Sequence, residues 1–180
     1  RLIRYLNVPS ATRAVRGNRG LEAVTTLRGG KEFVFLAERL LDDDGNHTGW
    51  HVKDGKVRRL RIERSDEFDI TDVATLPDNG LILLERRFIG LLDGVHMRLR
   101  LITAAELDDA DVIRGEELFR GNNFGYAIDN MEGVDVYRTK AGETVIAVIS
   151  DDNFNRAIQR TLLLEFTLDG DKQAVRQTSD

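Results

Sequence analysis

Acidic residues recur at matching places in three stretches of this chain. Glu22 lies in Gly20-Leu21-Glu22-Ala23-Val24-Thr25-Thr26-Leu27, Asp72 in Ile70-Thr71-Asp72-Val73-Ala74-Thr75-Leu76, and Glu132 in Met131-Glu132-Gly133-Val134-Asp135-Val136-Tyr137. Each stretch leads through a polar turn into a second apolar run that ends in charge. The first of these runs ends at Glu38-Arg39, the second at Glu85-Arg86-Arg87, and the third at Asp151-Asp152. If the ends of these runs meet, six or seven carboxylates converge. Like charges at close range raise one another's pKa unless something neutralises them. Hard oxygen ligands suit Ca²⁺ or Mg²⁺. The arginines that follow the acids offer another solution, since a guanidinium binds carboxylate or phosphate through two parallel hydrogen bonds. Three roles stay open: ion pairing within the fold, a cation site built from Glu22, Asp72, Glu132, Glu38, Glu85 and Asp151, or direct catalysis.

Such a meeting needs elements that return to one place. The three stretches form an internal repeat with a period of roughly 50 residues, which points to a propeller, solenoid or array. After each repeated pair of runs come two more. These are Gly49–Lys53 and Lys56–Ile62 around Asp54-Gly55, then His96–Ile102 and Val112–Phe119, then Arg160–Leu168 and Gln173–Gln177 around Asp169-Gly170. Runs rich in Val, Ile, Leu, Phe and Thr between Gly, Asp and Asn turns read as strands, and Asp-Gly between two of them is a hairpin signal. The fold class expected is all-β. Four-stranded antiparallel units repeated around an axis are propeller blades, here over about 20–63, 68–120 and 130–178, with 1–7 as the outer strand of a preceding blade. An ordinary β-sandwich with coincidental similarity is the alternative. The segment 104–110, where Thr103 could cap a short helix, reads as a loop insertion. Propellers typically carry 4–8 blades, so three blades call for the rest of a longer polypeptide or for a second copy.

In a blade the innermost strand lines the central channel, and the second strand runs antiparallel to it. The start of the first and the end of the second therefore share one face, and the acids gather at one mouth. Asn-rich segments flank the same mouth: Asn122-Asn123-Phe124-Gly125 and Asp129-Asn130 on one side, Asp152-Asn153-Phe154-Asn155 on the other. Asn and Asp favour turns, and their side chains also suit a polar ligand. Candidate ligand-binding residues are Arg39, Arg86, Arg87, Asn130 and Asn153.

Other chemistries find little footing. His47, His51 and His96 lack metalloprotease spacing, and no Gly-x-Ser-x-Gly elbow is present. Ser150 precedes Asp151 with no histidine nearby in sequence. Asp42-Asp43-Asp44-Gly45-Asn46 lacks the alternating ligands and closing Glu of a calcium loop and reads as a solvated turn. The chain has no cysteine, which excludes disulfides and thiolate metal sites. Its net charge of −5 argues against a nucleic-acid partner. No apolar run approaches the ~18 residues of a membrane span.

Several of these segments resemble the phytase-like propeller family, described as having esterase-like activity of phytase. They are Asn18-Arg19-Gly20-Leu21-Glu22-Ala23, Thr71–Asp78 with Leu83–Phe88, Asp129–Gly133, Ser150–Asn155, and Gln159-Arg160-Thr161-Leu162-Leu163-Leu164-Glu165-Phe166. The resemblance spans almost the whole chain in preserved order, with Ile158 a mild departure from the usual Leu before Gln159. It implies exported bacterial proteins, periplasmic or secreted and considerably longer than this chain, which would then be the C-terminal half. It supplies no catalytic residue. Two classes of function follow. In one, a metal-assisted phosphoester hydrolase, Glu22, Asp72, Glu132 and Asp151 hold Ca²⁺ while Arg86 steadies the phosphate of a small phosphorylated ligand. The metal there would polarise the phosphoryl oxygen and activate a water. In the other, a non-catalytic propeller binds a ligand or protein partner at the same mouth.

Overall fold

A computed structural model describes residues 20–90, 94–154 and 159–168, and the backbone of 175–177. Among the described residues, twelve strands form three antiparallel sheets, each in simple sequence order. Sheet 1 holds β1 (Leu21–Leu27), β2 (Glu32–Leu41), β3 (His47–Lys53) and β4 (Lys56–Ile62). Sheet 2 holds β5 (Asp69–Thr75), β6 (Leu81–Gly90), β7 (Gly94–Ile102) and β8 (Glu116–Asn122). Sheet 3 holds β9 (Met131–Arg138), β10 (Thr144–Ser150), β11 (Leu163–Leu168) and β12 (Val175–Gln177). These are blade-like meanders in an almost wholly β structure. The expected strand over 1–7, the turn at 169–170, Asn155 and Ile158 lie outside the described residues.

The first strands stand next to one another, β1 beside β5 and β5 beside β9. Val24, Val73 and Val134 occupy equivalent places on them, opposite Phe35, Leu83 and Val148. Apolar residues fill the two interfaces between sheets. Leu27, Leu36, Ile62, Ile70, Leu83 and Ile113 pack between sheets 1 and 2. Ile82, Leu84, Leu99, Ile146, Val148 and Phe166 pack between sheets 2 and 3. Leu83 and Leu84, adjacent on β6, thus serve opposite interfaces, as a side-chain period of two requires.

Local chemistry explains the strand ends. Asp54 and Gly55 both have positive φ, 50° and 73°, the conformation of a tight type I′ hairpin turn. A Cβ at Gly49 would stand 2.5 Å from Leu36 Cδ2 and 2.9 Å from the Phe35 carbonyl, so β3 can approach β2 there only as glycine. β8 begins at Glu116, later than expected, because Ile113 bonds the neighbouring sheet instead. Its N–H donates to the Arg61 carbonyl at 2.8 Å, and its carbonyl accepts from Glu63 N–H at 2.8 Å. β11 begins only at Leu163, because side chains engage the backbone of Arg160. Ser150 Oγ donates to its carbonyl at 2.7 Å, and Asp129 accepts from its N–H at 2.8 Å. The helix α1 (Ala104–Asp109) follows its expected cap, with Thr103 Oγ1 accepting from Glu106 N–H at 3.1 Å. No helix among the described residues is long and apolar enough to cross a membrane.

Candidate functional site

Each first strand carries one extra residue near its start, in the same place. Glu22 falls between the pairs Leu21–Ala37 and Ala23–Leu36. Thr71 falls between Ile70–Glu85 and Asp72–Leu84. Glu132 falls between Met131–Ser150 and Gly133–Ile149. Such β-bulges re-aim side chains and end the regular ladder. They also fix which residues are equivalent. Glu22, Thr71 and Glu132 correspond, as do Glu38, Arg86 and Asp151.

Asp72 and Glu85 therefore stand one position away from the places expected of them in the acidic ring. One step along a strand reverses the side chain's direction. Glu85 turns into the interior and is fully buried. It accepts from Arg98 at 2.7 and 3.1 Å and from Arg100 at 2.8 and 2.6 Å. Asp72 sits at the seam between sheets 2 and 3. It accepts from Val134 N–H at 2.8 Å and from its neighbour Val73 N–H at 2.8 Å. Burial raises its pKa despite these bonds.

The other expected residues gather around Arg86. Its guanidinium donates to Glu132 at 2.6 Å and lies 3.9 Å from Glu38, so one cation from sheet 2 stands between acids of sheets 1 and 3. Arg39 donates to Asp69 at 2.7 Å through Nε, and Arg64 donates to the other Asp69 oxygen at 2.9 Å. Asp69, opposite Arg86 in the ladder, is a further site residue that no motif marks in the sequence. Its one signal is position, since it stands two residues before the bulge at Thr71 as Asn130 stands two before the bulge at Glu132. Burial raises the pKa of Glu38, with Glu22 and Asp69 adding to the effect and Arg39 and Arg86 opposing it.

Glu38, Arg39, Asp69, Arg86 and Asn130 line a cavity of about 250 Å³, completed by Phe88, Val95 and Gln159. Asn153 reaches it indirectly, donating to Gln159 at 3.4 Å. Asp151 is exposed and caps its own turn, accepting from Asn153 N–H at 3.0 Å. Arg87 points to the opposite side of β6, over the Phe68 ring and within 3.2 Å of His96 Nε2. Ser150 is buried, with its hydroxyl engaged by the backbone of Arg160 and Leu162. His47 meets the Phe68 carbonyl, and His51 meets Glu32. No histidine lines the cavity.

Among the described residues, no three His, Cys, Asp or Glu side chains come together as a metal site. Of the expected calcium ligands, Glu132 and Glu38 stand around Arg86, Glu85 is held by two arginines and Asp72 by backbone, while Glu22 and Asp151 are exposed. As placed, they do not gather into one cluster among the described residues. A larger groove of about 700 Å³ lies at the other end of β2, against His51, Lys53 and Arg58. There Lys53 pairs with Glu32 and Arg58 donates to the Leu107 carbonyl, and the carboxylates of Asp54, Asp108 and Asp109 line the same groove, so the smaller cavity is the better candidate for an anion.

A protein-family model described as "Phytase-like: Esterase-like activity of phytase" matches residues 1–154. No curated protein matches the chain.

Proposed function

Because the chain belongs to the phytase-like family, we propose that it binds a small phosphorylated ester in the cavity between the ends of β2, β5 and β6. The observation that carries this is the Arg39–Arg86 pair on the cavity wall. Arg39 uses Nε for Asp69, and its two terminal nitrogens have no acceptor among the described residues. A guanidinium held this way presents a planar fork of donors to a phosphate. Arg86 adds positive charge from the facing wall, while Asn130 and Gln159 supply amides.

A second reading, hydrolysis of the bound ester, is favoured by Glu38. Its raised pKa, in a cavity beside two arginines, suits a group that passes a proton to a leaving oxygen. The test is a chromogenic aryl phosphate mixed with the intact protein. Product release that falls sharply in Glu38→Gln sustains the hydrolase. Binding without turnover leaves a ligand-binding module. Absence of both binding and turnover would refute the site. Export to the periplasm or beyond belongs to the same proposal, and fractionation of cells expressing the full-length gene checks it.

A further inference from the structure

We infer that this cavity selects a monophosphate carrying an apolar group, such as an aryl phosphate, over polyphosphorylated cyclitols such as inositol hexakisphosphate. The inference rests on the phosphate-ester reading above and deepens it to a substrate class.

Charge is the first argument. The guanidiniums of Arg39 and Arg86 are matched on the cavity wall by the carboxylates of Glu38 and Asp69. Glu132 stands directly behind Arg86, and Glu22 is near enough to Glu38 to raise its pKa. Each arginine is already paired with an acid. One phosphate head can take the open fork of Arg39. Further phosphates would face carboxylates with no other cation among the described lining residues to receive them, and like charge at close range is costly in a partly desolvated site.

Apolar surface is the second. Phe88 and Val95 are direct cross-strand partners on β6 and β7, and both line the cavity. Phe88 follows Arg86 by two positions on β6 and is 58% exposed. An exposed phenyl ring paired with a valine beside charged groups is what an amphipathic ligand requires. A fully hydrophilic polyphosphate gains nothing from it. Size is the third argument. At about 250 Å³ the cavity lies just below the ~300–1,000 Å³ of ligand clefts, which suits a small ester.

The experiment is titration calorimetry of the intact protein with phenyl phosphate, inorganic phosphate and inositol hexakisphosphate, without added metal. Phenyl phosphate should bind about tenfold tighter than inorganic phosphate, as partial burial of a phenyl ring implies, and tighter than the hexakisphosphate. Phe88→Ser, at an exposed position, should erase most of that preference and leave inorganic phosphate affinity unchanged. Hexakisphosphate binding tightest, or a preference that survives Phe88→Ser, overturns the selectivity and leaves the phosphate site standing. Failure of all three ligands to bind overturns both.

Discussion

Arg86 donates to Glu132 at 2.6 Å across the boundary between sheets 2 and 3. The same guanidinium stands 3.9 Å from Glu38 of sheet 1. Acids that read in sequence as ligands for an ion are bridged by a side chain of the protein itself. That arrangement offsets charge between Glu38 and Glu132 and joins three sheets at one point.

Arg86→Met removes this bridge and leaves two acids without a partner. Both ends of the Arg86–Glu132 pair are partly exposed, at 25% and 38%, so solvent screening limits the cost. The expected loss is about 1–2 kcal/mol, below that of a buried charged hydrogen bond. Arg86→Lys should lose less. Urea denaturation measures both.

Glu85→Ala should be far more damaging. It strands Arg98 and Arg100, both buried, without their shared acid. Removing one partner of a buried ion pair costs about 3–5 kcal/mol. The same denaturation experiment should rank Glu85→Ala well below Arg86→Met in stability.

The pH dependence of Glu38 has a definite sign. Its folded pKa is raised by burial, so the folded state holds the proton more tightly than the unfolded chain. The stability it contributes is fully present below the ordinary glutamate pKa of ~4.3 and is lost as pH rises through the folded value. Glu38→Gln, which imitates the protonated form, should therefore raise the Tm at pH 7. Its advantage should vanish as pH falls toward 4. An equal gain at both pH values would contradict the assignment.

Asp72→Ala should act locally. The Val134 N–H would lose its acceptor at the seam between β5 and β9, at a cost of about 1–3 kcal/mol. Amide hydrogen exchange at Val134 should accelerate more than at Ile146, a residue of the same sheet's core.

Much of this was legible in the sequence, and the failures have a physical pattern. Apolar runs separated by Gly, Asp and Asn turns announce the twelve strands, and the equivalence of Val24, Val73 and Val134 shows in their spacing. The bulges do not show. Aligning the repeats on their acids instead of their valines shifts Asp72 and Glu85 by one position, and a period of two turns that slip into a reversal of direction. Arg39, Arg86 and Asn130 could be singled out because they follow or precede the repeated strands. Asp69, Phe88 and Val95 come from three strands of sheet 2 and Gln159 from the segment before β11, and only folding brings them to one cavity. Glu85's arginine partners lie on β7, beyond the reach of a motif built from two strands.

The most direct test of the central claim is the affinity of phenyl phosphate for wild-type protein and for Arg39→Met. Arg39 is 59% exposed on its side chain, so the variant should keep its fold. Loss of one charge-assisted bidentate contact should weaken binding by about 10- to 100-fold, with the urea midpoint nearly unchanged. Equal affinity in the two proteins would place the ligand elsewhere and contradict the cavity as the functional site.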